Sequence, residues 1–160
     1  MKEKCAMCGG AMTSHRENQK FESLPGVTLQ SVEVLRCKEC GEREIVIPHL
    51  DALVRALATF VVEKKAKLTG AEIRFLRKSL GWSGADFAEH VGVGRDTVSK
   101  WENDKEAIGP QSDRLLRMMV VHATPLDDYS LDGLVGLDAT AKPVRIKAKQ
   151  KSAGWEATAA

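Results

Sequence analysis

The sequence predicts an α+β chain: a small N-terminal β module organised by four cysteines, a connecting helix, then an all-α domain. Three observations predict it. All four cysteines fall into two Cys-X2-Cys pairs, Cys5/Cys8 and Cys37/Cys40, each followed by glycine, and the residues between them read as strands. Apolar residues recur at Leu50, Leu53, Val54, Leu57, Phe60 and Val61, spacings of three and four that make one buried helical stripe. From Thr69 to about Ala123, capping signals and apolar periodicity mark a run of short helices. The units are residues 1–48, 49–68 and 69–123, with a tail over 124–160.

Each Cys-X2-Cys pair can place two thiolates on one tight turn. Gly9 and Gly41 tolerate the backbone angles that aim both sulfurs at one point. Four converging sulfurs make the closed tetrahedral site that Zn2+ prefers, with Zn–S about 2.3 Å. The expectation is one Zn2+ per chain held by Cys5, Cys8, Cys37 and Cys40. A closed site leaves no position for a water nucleophile, so the metal should hold the fold rather than do chemistry. The competing readings are two disulfides or a thioredoxin-like redox pair. Disulfides need an oxidising compartment, and nothing in the sequence points to export. No apolar run follows the opening Met-Lys-Glu-Lys-Cys, and the longest apolar stretch, near Leu50–Val62, is broken by Asp51 and Arg55. A cytoplasmic protein without a membrane span is expected.

Between the pairs, Val27–Gln30 and Val32–Val34 carry strand-like patches, Leu24-Pro25-Gly26 marks a turn, and Glu44–Ile47 follows the second pair. Two cysteine turns joined by a short antiparallel sheet make a zinc ribbon. Such a unit is too small to bury a sufficient core and depends on its metal. Pro48 stands where the connecting helix can begin. The polar run Glu63–Lys67 ends that helix as a solvated terminus, leaving a candidate hinge before Leu68-Thr69.

Thr69 followed by Glu72 is a capping-box pattern opening a helix through Leu80, which Gly81 ends. Ser83 caps a short helix through His90 that stops at Gly92, and Gly94 precedes the run Arg95–Asn103. After a loop over 104–110 a final helix carries Leu115, Leu116, Met119 and Val120. Short helix, glycine-containing turn and second short helix form a helix-turn-helix. Phe87, Ala88 and Val91 face inward on the first helix, Val98 and Trp101 on the second. Ala88 is small where the helices cross, and Val93 plugs the turn. The outer face of the second helix then exposes Arg95, Asp96, Ser99 and Lys100, with Asn103 following. Arg95 can fork onto guanine O6/N7, Lys100 can reach a guanine or a phosphate, and Asp96 can accept from cytosine N4. Thr97 and Ser99 are short enough to bond phosphates or a thymine edge. The bland alternative is a solvated charged face.

Net charge is only +2, and residues 69–123 carry eight basic against eight acidic side chains. A DNA-reading face must therefore come from local placement of charge.

The run Ile73–Arg77, Gly81-Trp82-Ser83, Phe87-Ala88, Gly92-Val93 and Val98–Glu102 resembles the lambda-repressor/Xre class of helix-turn-helix proteins. In that class the residues matching Arg77 and Glu102 often pair, so the resemblance gives that pair a structural role, beside the core role that periodicity gives Trp101. The class usually opens its second helix with a DNA-touching glutamine, where this chain has Gly84. The order of zinc ribbon, connecting helix and helix-turn-helix further resembles the MqsA antitoxin family, also called the YgiT-type family, over residues 1–123. That resemblance implies a homodimer, joined through its C-terminal domains, that binds a palindromic operator and represses its own operon. It also implies an N-terminal domain that grips a small ribonuclease toxin. At two recognition positions the founding member carries Asn and Arg where this chain has Asp96 and Lys100, so the operator sequence does not transfer. The other class of function is a stand-alone zinc-containing regulator without a toxin, its thiolates serving as an anchor or sensor.

An enzyme is not expected. His15, His49, His90 and His122 are scattered without ligand or triad spacing, and no nucleophile–base set can be assembled. In the tail, Pro143–Lys149 alternates apolar and basic residues like an edge strand that Gly154–Thr158 could pair with, a disordered basic tail being the other reading.

Overall fold

The computed structural model describes residues 4–123, 146–151 and 154–159. Strands β1 (Met12–Lys20), β2 (Thr28–Cys37) and β3 (Arg43–Val46) form an antiparallel sheet in that order, with β2 central. Where the sequence suggests two strand patches, β2 is one strand with an irregularity at Ser31. Glu17 pairs with Val32 and Gln19 with Leu29, so Gln30 and Ser31 lie opposite Asn18 alone, as in a β-bulge. Ser31 takes φ 52° there, and its N–H donates to Asn18 Oδ1 at 3.0 Å. The bulge flips the side-chain alternation, which is why the sequence pattern breaks at that point.

The loop from β1 to β2 folds on itself, with Phe21 N–H donating to Val27 O and Leu24 N–H to Phe21 O. It delivers Phe21 and Leu24, both buried, into the same apolar core as Leu29 and the helical residues Ala58, Ile73 and Leu76. Phe21 meets Phe75 edge-on, with centroids 6.4 Å apart and planes at 84°. A second, smaller cluster of Cys5, Met12, Leu35 and Cys37 surrounds the cysteines. Part of the sheet therefore has a core of its own, and part shares the core of the helices.

Helix α1 (Leu50–Glu63) starts two residues after Pro48, from His49 in the left-handed conformation. The segment after it, read from composition as a hinge, is clamped. Arg117 donates to the carbonyls of Val62, Lys64 and Ala66 and, through Nε, to Asp113 Oδ1 at 2.5 Å. Asp113 is buried and its other oxygen accepts from Leu68 N–H at 3.1 Å. Lys64 is not a freely solvated end residue either: its Nζ lies 2.6 Å from both carboxylate oxygens of Glu72. Burial pushes the Glu72 carboxyl up, but hydrogen bonds from Lys64 and Thr69 outweigh it and hold the group below its ordinary value.

Helices α2 (Gly70–Ser79), α3 (Gly84–Val91), α4 (Arg95–Glu102) and α5 (Pro110–His122) complete the helical domain. Thr69 and Glu72 form the expected reciprocal capping box, and Ser83 with Asp86 forms a second. Gly92, at φ 74°, closes α3 with the left-handed turn that a residue bearing a Cβ adopts only at a cost. Phe87, Ala88, Val98 and Trp101 are buried as the periodicity requires. In the tail, β4 (Ile146–Lys151) pairs antiparallel with β5 (Gly154–Ala159), Ile146 opposite Ala159. The acidic stretch Asp127–Asp138 and Pro143 fall outside the described residues.

Candidate metal centre and nucleic-acid interface

The two cysteine turns are built alike. In the first, Gly9 N–H donates to Cys5 O and Cys5 N–H to Gly10 O; in the second, Gly41 N–H donates to Cys37 O and Cys37 N–H to Glu42 O. Gly9 and Gly41 take φ 75° and 76°, as a turn of this hand demands. The four ligand sulfurs all lie within 4.8 Å of one another. Cys5 and Cys40 are 3.6 Å apart and Cys8 and Cys37 3.4 Å. Tetrahedral coordination at about 2.3 Å places sulfurs roughly 3.8 Å apart, so this donor set fits one metal ion. All four cysteines are free of disulfides.

The thiols themselves show why a cation suits the site. N–H groups of Cys40 and then Glu39 point at Cys37 and lower its thiol to about 7. Cys8 has one such donor, Gly10 N–H, yet is pushed up to about 12 because Cys37, Cys40 and Cys5 crowd it and burial adds to the effect. Four neighbouring thiolates repel one another unless a positive charge sits among them. Cys5 and Cys37 are buried, while Cys8 and Cys40 face outward.

The second site is the outer face of α4. Arg95, Asp96, Ser99 and Lys100 are exposed and Thr97 is half-buried. The helix is held from behind. Glu102 accepts Arg77 Nε at 2.5 Å and Nη2 at 3.1 Å, and Arg77 Nη1 donates to Trp82 O at 2.7 Å. Arg74, unforeseen in the sequence reading, adds Nε to Glu102 Oε2 and Nη2 to both Glu102 O and Asn103 Oδ1. It lies one turn before Arg77 on the same helix face, and that spacing is the signal that could have found it. Asn103 donates its amide to Ser99 O at 2.7 Å, so its side chain caps the helix end and is linked to Arg74. Lys100 Nζ is 3.7 Å from Glu106 in the following loop, a partner with no periodicity to reveal it.

On the neighbouring helix, Ser83 holds Asp86 below its ordinary value through hydroxyl and N–H, with nearby basic side chains, among them Arg95, adding to it. His90 stacks on Trp82 at 4.0 Å and its Nδ1 meets Asp86 O at 2.7 Å. These contacts tie the last turn of α3 back to its first turn and to Trp82 just before it.

Gly70 is the tightest contact behind α4. A Cβ there would lie 2.6 Å from Trp101 O and 2.8 Å from Glu102 O, both backbone atoms. Gly70 N–H also donates to Asp104 Oδ1 at 2.7 Å, holding Asp104 at its left-handed φ of 53°. Gly70→Ala is expected to push α2 and α4 apart and destabilise the domain by about 1–3 kcal/mol. Urea unfolding checks this. An unchanged midpoint would mean that the two helices have slack at the contact.

Residues 73–127 match the helix-turn-helix family model. Comparison of the chain with curated proteins returns no match. Together with the geometry of α2–α5, the match supports reading this module as a helix-turn-helix of the DNA-binding, transcription-regulator kind. Among the described residues no helix is long and apolar enough to cross a membrane.

Proposed function

We propose that this protein is a sequence-specific repressor that binds a palindromic operator in double-stranded DNA as a homodimer, its N-terminal module held by one structural Zn2+. The observation that carries the reading is the outer face of α4, where Arg95, Asp96, Ser99 and Lys100 point away from a helix locked from behind by Glu102. Zinc is the ion proposed because an all-thiolate, closed site of four suits it best. Two recognition helices of a dimer on a palindrome lie about 34–36 Å apart, one turn of DNA.

Binding to the promoter of the protein's own gene tests the reading. Arg95→Ala is expected to cost about 1–3 kcal/mol and to relax preference at one base pair. Lys100→Ala should weaken all sequences more evenly and reduce the salt slope by about one. If neither changes binding, this face is not the reader.

We further propose the role of antitoxin, with a small ribonuclease toxin docking on the edge of the sheet. β1 supports this: it pairs with β2 on one side only, and an unpaired edge is a natural template for another chain's strand. Along Glu33–Arg36, β2 is paired on both sides and offers no edge. The second reading, a stand-alone regulator, is favoured by the core that Phe21, Leu24 and Leu29 share with the helices, which makes the metal module part of the DNA-binding body. Coexpression of the full chain with its neighbouring reading frame separates them. A stable complex that silences a ribonuclease supports the antitoxin, and no complex supports the stand-alone regulator.

A further inference from the structure

The helix-turn-helix module has little positive charge to spare for a nucleic-acid backbone. Residues 69–123 balance eight basic against eight acidic side chains, and several of the basic ones are already engaged. Arg74 and Arg77 both bond Glu102, Arg117 bonds Asp113, and Lys100 lies 3.7 Å from Glu106. Affinity for DNA, however, comes largely from cations set against phosphates. The chain carries its most one-sided charge elsewhere. Lys142, Arg145, Lys147, Lys149 and Lys151 fall within ten residues that contain no acid. Lys142 and Arg145 lie outside the described residues, but the three lysines stand in β4.

Alternate residues of a strand share a face and are spaced by two rises, roughly 7 Å. Lys147, Lys149 and Lys151 therefore form one evenly spaced row, on the scale that separates neighbouring phosphates along a nucleic-acid strand. Across the hairpin they stand opposite Thr158, Glu156 and Gly154, so one acid faces three cations. The other face of the hairpin, from Ile146 and Ala148 to Ala157 and Ala159, carries no charged residue.

We infer that the lysine face of the β4–β5 hairpin is a second DNA contact, gripping phosphates of the duplex that α4 reads. The inference rests on the DNA-binding reading above and deepens it by naming a source of sequence-independent affinity. Charge complementarity chooses the occupant: a regular row of cations meets a regular row of anions. Residues 124–145, 22 in all, separate α5 from β4. A chain of that length spans at most about 70–80 Å, roughly two turns of DNA, so both sites can meet one duplex. A lysine row on phosphates touches no base edge and carries no sequence preference. Selectivity then belongs to α4, while the hairpin adds salt-sensitive attraction to any duplex.

The test is the affinity of the full-length, zinc-loaded protein for two duplexes over a series of salt concentrations. One duplex carries the promoter of its own gene, the other a scrambled sequence of equal length. Combined Lys147→Gln, Lys149→Gln and Lys151→Gln should weaken both duplexes by the same factor, about tenfold or more at 0.1 M salt. It should also flatten the salt slope by about two to three. Replacing the same three lysines by arginine keeps the charge and should stay within about threefold of the native chain. Glu156→Gln removes the one acid on that face and should tighten both duplexes about two- to threefold. A glutamine variant with native affinity and slope overturns the inference and leaves the lysine face for an acidic protein surface. A loss confined to the promoter duplex overturns it too, as does an arginine variant as weak as the glutamine one. The underlying reading fails differently. Equal binding of both duplexes that still depends on the lysines keeps this inference and removes the sequence-specific repressor. Promoter preference that ignores the lysines does the reverse.

Discussion

Glu102→Ala is expected to destabilise the helical domain by about 3–5 kcal/mol and to abolish specific DNA binding. The Glu102 side chain is only 10% exposed and takes three hydrogen bonds from two arginines. Arg77 is itself 9% exposed, and a guanidinium cannot shed its proton to escape the cost of burial. Removing the carboxylate strands that charge against α4, with Trp82 O as its only remaining acceptor among the described residues. The loss then falls on the end of the helix that presents the candidate reading face. Glu102→Gln should cost less, since it keeps the shape and part of the hydrogen bonding. Arg74→Ala should cost about 1 kcal/mol or less, because the Arg74 side chain is 42% exposed and water can replace it. Urea unfolding of the three variants, read as midpoints at constant slope, checks the order. If Glu102→Ala costs no more than Arg74→Ala, the buried pair is not what locks α4.

The parts of this structure that could be read in advance are those whose physics is local. Thr69 with Glu72, Gly92 at the end of α3 and the glycine after each cysteine pair act within four residues, so their spacing carries the message. Even there, Ser83 was legible as a cap while its reciprocal partner Asp86 was not, because the short aspartate stands where the pattern calls for Glu or Gln. The features that escaped are made across long separations. Leu68 meets Asp113 over 45 residues, and Arg117 reaches Ala66 over 51. Composition alone shows a polar stretch after α1, and polar stretches resemble hinges until the acceptors are seen to be carbonyls gripped by one arginine. Phe21 escaped for a related reason. An aromatic beside a turn gives no period, and only the fold shows that it lies against Phe75. At the candidate DNA face, the outward residues of α4 were legible from the inward positions of Val98 and Trp101, since a helix that commits one face to the core must present the other. Asn103 stands just past that helix, where capping rules apply instead, and its amide is taken up by Ser99 O.

Removing the metal, by chelation or by Cys37→Ser, is expected to unfold the sheet while α2–α5 stay helical. The cluster around the cysteines holds only Cys5, Met12, Leu35 and Cys37, with Val46 packed on it, and β3 is four residues long. A three-stranded sheet with so little core is marginal by itself, whereas a structural zinc site contributes on the order of 10–16 kcal/mol. The helical domain keeps its capping boxes, its Arg77–Glu102 pair and a core containing Phe87, Val98 and Leu116, so it retains a reason to fold. It does lose Phe21, Leu24 and Leu29 from that core. The edge-on pair with Phe75 is worth about 0.5–1.5 kcal/mol beyond burial, and each kcal/mol lowers Tm by about 4–8 °C in a domain of this size. The expected signature is therefore loss of strand signal with metal release, together with a helical transition that survives at a lower temperature. Two results would sink this account: absence of zinc on metal analysis, or an intact sheet after chelation. A helical transition that does not move at all would show a narrower failure, because the shared core would then contribute nothing to the stability of the helical domain.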